Sequence, residues 1–242
     1  DDGEKTFLGE TGNFNGDDII EIIIRQPATG TFVAREIYKF FVADEPDEAA
    51  IEQIANAYFV NDFDIREVMR FVLKSDFFKA ATFKRVKSPI EFIVGTLRLT
   101  GQHRDAYQFG LAEVPKLSRM MGQEILNPPT VEGWHTGREW IDSAFLVERV
   151  NFATEKLTDT EAPGIVDIAR HLSDTRTSIS SADLLELCAN EFVYIDLDDA
   201  TREVIAEELS IPEEVACSGD EVIEAVAEVL ALIGASKEYQ MA

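Results

Sequence analysis

The residues best suited to chemistry lie close together, between Met120 and Phe152. These 33 residues hold both tryptophans, Trp134 and Trp140, one of three histidines, His135, the only Pro-Pro pair, Pro128-Pro129, and Arg138. Glu132 and Glu139 flank His135 at spacings of three and four. One face of a helix would gather that set to hold a metal or to move a proton. Gly133 and Gly137 argue against a helix there, and zinc motifs carry at least a pair of His or Cys ligands close in sequence. No metal or cofactor is therefore expected. Indoles make platforms for the apolar faces of ligands, and Arg138 beside them can stack on a ring or clasp a carboxylate. Pro128, Pro129, Trp134, His135, Arg138 and Trp140 form the candidate ligand or partner loop.

Other constellations are weaker. No serine sits in a GxSxG elbow, and neither His103 nor His171 belongs to an HExxH helix. Asp196, Asp198 and Asp199 could bind calcium or serve as a carboxylate pair, but helix capping accounts for them at less cost. Asn13-x-Asn15-Gly16-Asp17-Asp18 resembles the start of a calcium loop. Its twelfth position is Ile24, where a bidentate Glu is needed, so Asn15 or Asp17 reads as a helix cap. Lys74, Lys79, Lys84, Arg85 and Lys87 face a single acid, Asp76, across their stretch and form a basic patch suited to docking an acidic surface.

The elements that must position these residues are helices. Pro128-Pro129 stops the helix expected over residues 106–126, and an apolar helical pattern resumes at Asp142. Upstream, Gly3, Gly9 and Gly12 around Thr6-Phe7-Leu8 predict a short extended piece or hairpin. Pro27 then opens a helix whose Phe32, Val33, Ile37, Tyr38, Phe40 and Phe41 should be deeply buried. Asp47 to Tyr58, Asp64 to Leu73 and Ser88-Pro89 to Leu99 repeat the capped amphipathic pattern, the last with Glu91 and a stop at Gly101. Phe59, Phe63, Phe71, Phe77, Phe78 and Phe83 read as core aromatics. After a Thr-, Asp- and Pro-rich connection at residues 158–164 come four acidic helices and a short turn begun by Pro212. The expected fold is all-α, a multi-helix globular domain with a short hairpin at its N-terminus. Residues 1–157 form the main body around the tryptophan loop, and residues 158–242 an acidic helical lobe packed on it.

Composition narrows the function classes. A hydrophobic content of 45% over 242 residues fills a real core. The net charge is −24, unevenly spread: residues 1–120 carry 15 basic and 20 acidic side chains, the remainder 7 and 26. Such a field repels nucleic acid and anionic membrane and favours basic partners. No apolar run approaches the roughly 18 residues of a membrane span. Cys188 and Cys217 fit one disulfide or two buried thiols.

Several runs carry a family resemblance. They are Phe7-Leu8-Gly9, Gly12-Asn13-Phe14, Pro27-Ala28-Thr29, Lys87-Ser88-Pro89 with Glu91, Asn127-Pro128-Pro129, Val131-Glu132-Gly133-Trp134, Trp140-Ile141, Arg149 to Phe152 and Ser236 to Gln240. Together they resemble the bacterial family catalogued as domain of unknown function 1800. The resemblance covers essentially the whole chain. It implies an exported protein and the C-terminal half of a longer member, whose N-terminal half would pack on this chain. It brings no catalytic residues. The expected role is a structural or protein-interaction module within a larger assembly. The alternative is a hydrolase or carbohydrate-active protein with its pocket at Trp134 and His135.

Overall fold

The computed structural model describes residues 3–105 and 113–242. The chain is all-α apart from two short antiparallel strand pairs, and it divides into two compact units, Asp1–Arg85 and Val86–Ala242. Helix Ser143–Leu157 and helix Gly219–Ala235 belong to one unit because Gly234 lets them touch: a Cβ there would lie 2.4 Å from Leu157 and 3.3 Å from Ala153.

In the first unit, strands Lys5–Phe7 and Glu10–Gly12 pair through a turn at Leu8 and Gly9, both in the left-handed region. Asn15 then caps helix Gly16–Ile24. Its side chain accepts from the backbone N–H of Asp17 and Asp18 at 2.7 and 3.1 Å, while Asp18 accepts from the Asn15 N–H at 2.8 Å. The reciprocal box satisfies amides that the first helical turn cannot. Asp47 and Asp64 cap helices Glu48–Val60 and Ile65–Lys74 with their side chains alone, accepting from first-turn amides without a reciprocal bond. Ala34, Tyr38, Ile51, Ile54, Tyr58, Val68 and Val72 form the core, with Phe63, Phe77 and Phe78 packed against it.

Helix Pro27–Phe41 departs from expectation. Its buried line is Gly30, Ala34 and Tyr38, while Phe32 and Phe40 are each 65% exposed. The small residues let helix Glu48–Val60 approach closely: a Cβ on Gly30 would stand 2.5 Å from the Phe59 ring. That approach turns the bulkier aromatics outward.

In the second unit, helix Gly219–Ala235 forms the centre, buried along Val222, Val226, Val229, Leu230 and Ile233. Ser88 and Glu91 make a capping box for helix Pro89–Leu99, and Asp142 and Asp198 cap helices Ser143–Leu157 and Asp199–Glu208. Helix Glu113–Met120 lies within the helix expected over 106–126; residues 106–112 fall outside the described residues. Pro212 starts no helical turn. Glu214–Ala216 is instead a strand paired with Ser178–Ser180, burying Val215 opposite Ile179. Cys188 and Cys217 are free, buried thiols, and burial pushes the Cys188 thiol up to about 12. Among the described residues no helix is long and apolar enough to cross a membrane.

Candidate functional site

The tryptophan loop has a pinned base and an exposed tip. The Trp134 indole N–H donates to the Glu124 carbonyl at 2.9 Å, closing the segment between them, and Trp140 is buried. His135 stands in solvent with its Nδ1 2.5 Å from a Glu139 carboxylate oxygen. Arg138, Pro128 and Pro129 are exposed as well. At the tip Leu126 is 91% exposed and held at φ 64°, and Val131 is fully exposed. A leucine in the left-handed region is uncommon and costs on the order of 1 kcal/mol, so the turn presents this side chain against a local preference.

The basic patch is divided. Lys74, Lys79, Lys84 and Arg85 belong to the first unit, where Lys79 pairs with Asp76 at 3.3 Å and Arg85 lies over the Phe40 ring at 5.7 Å. Lys87 belongs to the second unit and is largely withdrawn from water. Its ammonium donates to the Tyr239 carbonyl at 2.9 Å and lies 4.7 Å from the centre of the Tyr239 ring.

Lys87 marks a cleft of about 800 Å³ in the second unit. Helix Pro89–Leu99 supplies Glu91, Gly95, Thr96 and Arg98, and helix Pro163–Thr175 supplies Asp167 and His171. A π-helical segment, Cys188–Val193, ends in Tyr194 at φ 58° and brings Phe192 and Tyr194 to the rim. Single π turns and left-handed non-glycine residues are costly local choices that recur at functional sites. Phe192 meets the His171 ring edge to face at 6.3 Å. At the far end the Tyr239 hydroxyl is hydrogen-bonded to Thr96 Oγ1 at 2.9 Å.

Behind the cleft lies Arg149, fully buried. It donates to the Lys87 carbonyl at 2.6 Å and to Gln240 Oε1 at 3.3 Å, with its guanidinium carbon 4.9 Å from the Phe92 ring centre. Three of the runs carrying the family resemblance thus converge here: Lys87 to Glu91, Arg149 to Phe152, and Ser236 to Gln240. The sequence shows each run but not their meeting. The legible signals were Gly95, Thr96 and Arg98 inside the otherwise apolar Phe92–Leu99 stretch, which a purely structural helix does not require.

Burial sets the electrostatics. It holds the Lys87 ammonium down to about 8, with the nearby Arg149 charge adding to the effect and Glu91 opposing it. Arg149 is likewise lowered to about 10, and burial raises Tyr239 to about 12. At the exposed wall Arg104 and then Arg170 pull the Asp167 carboxyl below its ordinary value; their distances are 2.8 and 2.7 Å.

The Lys87 shift carries a prediction. Below pH 8 both folded and unfolded chains hold the proton, and the burial penalty is fully present. Between pH 8 and 10.5 the unfolded chain binds more protons, so this group's contribution to stability rises with pH. Urea titrations should show wild type gaining about 2 kcal/mol on Lys87→Met between pH 7 and pH 10, the size that such a depression implies. Parallel pH curves for the two proteins would mean that the ammonium is solvated.

An all-α chain with a cation-bearing, aromatic-walled cleft and an indole-pinned loop is the class of protein these features define. It belongs to the family described as "Protein of unknown function (DUF1800)", whose model matches residues 1–241. No curated protein and no solved structure matches the chain.

Proposed function

We propose that the chain is an exported protein-interaction module working within a larger assembly, with the tip of the tryptophan loop as its docking edge. The observation carrying this reading is the exposure of Leu126 and Val131 on either side of Pro128-Pro129, on a turn whose backbone is held against its preference. Water-facing apolar side chains on a rigid loop are the features from which interface anchors are made. The Trp134 indole bond closes the loop at its base, so little conformational entropy remains to be lost on docking. Export is supported by the family resemblance, and the strongly acidic surface suits a partner with a basic face.

The test is the native mass of the protein purified from its own source, beside a Leu126→Asp/Val131→Asp variant. Wild type should run as a complex with defined partners and the variant as the free chain. Its stability should stay within about 0.5 kcal/mol of wild type per site, as for other surface substitutions. A complex that survives both aspartates would overturn the assignment of this edge.

A hydrolase reading rests on the His135 and Glu139 pair, since a carboxylate beside an imidazole orients a general base. Ester or glycan turnover that His135→Gln abolishes would favour it over docking.

A further inference from the structure

The cleft at Lys87 plays no part in docking through the tryptophan loop, and its construction calls for a ligand of its own. Its volume, about 800 Å³, lies within the roughly 300 to 1,000 Å³ of small-molecule sites. Lys87, Arg98 and Arg104 line it, and Arg149 stands behind Phe92; the carboxylates present are Glu91 and Asp167, and the other titratable groups His171, Tyr194 and Tyr239.

These charges do not cancel locally. Asp167 is already shared by Arg104 and Arg170, and Glu91 spends one oxygen on the Ser88 N–H of the capping box. The Arg98 guanidinium makes no hydrogen bond or ion pair among the described residues; its carbonyl accepts from the Gly101 N–H at 3.3 Å. Lys87 uses one of its three donors, on a carbonyl, and the hydrogen-bond partners of Arg149 are a carbonyl and an amide oxygen. Two largely buried cations therefore lie side by side, neither bonded to a carboxylate, in a chain of net charge −24. Buried charges are ordinarily paired, and an anion in the cleft would supply the missing partner.

The walls suit an apolar body. Phe192 and Tyr194 line the cleft, and so does Gly95, where a Cβ would meet nothing within 4 Å. Glycine inside a helix costs roughly 0.5 to 1 kcal/mol relative to alanine, and no neighbour in the fold demands it here. The space that it leaves lies on the cleft.

We propose that this cleft binds a small organic carboxylate, its charged group held by Lys87 and Arg98 and its flat apolar body against Gly95 and the Phe192 and Tyr194 rings.

The experiment is fluorine NMR of 4-fluorobenzoate, with the neutral isostere 4-fluorobenzamide as control, against wild type, Arg98→Ala and Gly95→Leu. Benzoate should bind wild type with a Kd on the order of 1 mM, as expected for so small a probe. The amide should bind at least about tenfold more weakly, and Arg98→Ala should lose about tenfold in benzoate affinity, the worth of one charged hydrogen-bonded contact. Gly95→Leu should abolish binding while its thermal transition stays unchanged or rises, because the substitution fills the cleft on a good helix former. Absence of benzoate binding to wild type, equal binding of benzoate and benzamide, or undiminished binding by either variant would each overturn the proposal.

Discussion

Arg149→Ala should cost the second unit about 4 kcal/mol, the largest loss expected from any single side chain in this protein. Part of that is volume, since truncating a large, fully buried side chain typically costs about 2 to 5 kcal/mol through lost packing and the cavity left behind. Part is polar. The Lys87 carbonyl and Gln240 Oε1 would lose charged donors at 2.6 and 3.3 Å, and a buried acceptor left bare costs about 1 to 3 kcal/mol. Against these stands relief from burying a guanidinium that no carboxylate meets, which is why the sum of the separate terms overstates the effect. Arg149→Met separates the contributions. It restores most of the volume and removes the charge, and should cost about 2 kcal/mol, near the penalty for the orphaned acceptors. Urea denaturation followed by circular dichroism measures both. A loss below about 1 kcal/mol for alanine would show that the segment joining Lys87 to Gln240 is held by other contacts.

The second large effect is steric. Gly164 sits where the start of helix Pro163–Thr175 crosses the end of helix Pro89–Leu99, donating its N–H to the Thr100 carbonyl at 2.8 Å. A Cβ there would lie 2.0 Å from the Leu99 carbonyl oxygen, 2.7 Å from the Thr100 carbonyl carbon and 3.0 Å from the Gly101 nitrogen. All three are backbone atoms, so no side chain can rotate away. Gly101 answers from the other side: at φ 71°, a Cβ on it would stand 2.8 Å from the Gly164 nitrogen. Gly164→Ala should therefore force the two helices apart at a cost of about 3 kcal/mol, at the upper end for overpacking. It should also weaken benzoate binding, since both helices wall the cleft. Gly95→Ala is the control, on the same helix with open space around it, and should be neutral or stabilising by about 0.5 to 1 kcal/mol. Similar stability for the two variants would mean that the crossing relaxes without penalty.

The contrast between these two glycines marks how far the sequence can be read. Both are single glycines near apolar helical runs, and nothing adjacent to them says which one is pressed by another backbone. The caps behave differently. Asn15, Asp47, Asp64, Ser88, Asp142 and Asp198 each bond an amide two or three residues away, so residue type and position suffice to place the helix start. The strand pair of Ser178–Ser180 with Glu214–Ala216 was not legible for the opposite reason. Its central partners, Ile179 and Val215, lie far apart in the chain, and each run is too short to show alternation among the surrounding acidic helices.

The candidate sites divide along the same line. Residues of the tryptophan loop lie within one stretch, and their turn chemistry and aromatic content single them out; that Trp134 turns its N–H to Glu124 while His135 turns to Glu139 appears only in the fold. Lys87 reads as one cation of a surface patch because its sequence neighbours are Lys84 and Arg85. In space its neighbours are Arg149 and Tyr239, which withdraw it from water and lower its proton affinity.

By itself the sequence determined the all-α class, the starts of most helices, the N-terminal hairpin and the family, since these depend on hydrogen bonds and periodicities spanning a few residues. Tertiary structure alone decided the division after Arg85, the outward turn of Phe32 and Phe40, and the cleft that joins residues 87–98, 164–171, 192–194 and 239. Close packing is the physical reason: which helix face is buried, and which charge loses its water, depends on partners the chain brings together only when it folds.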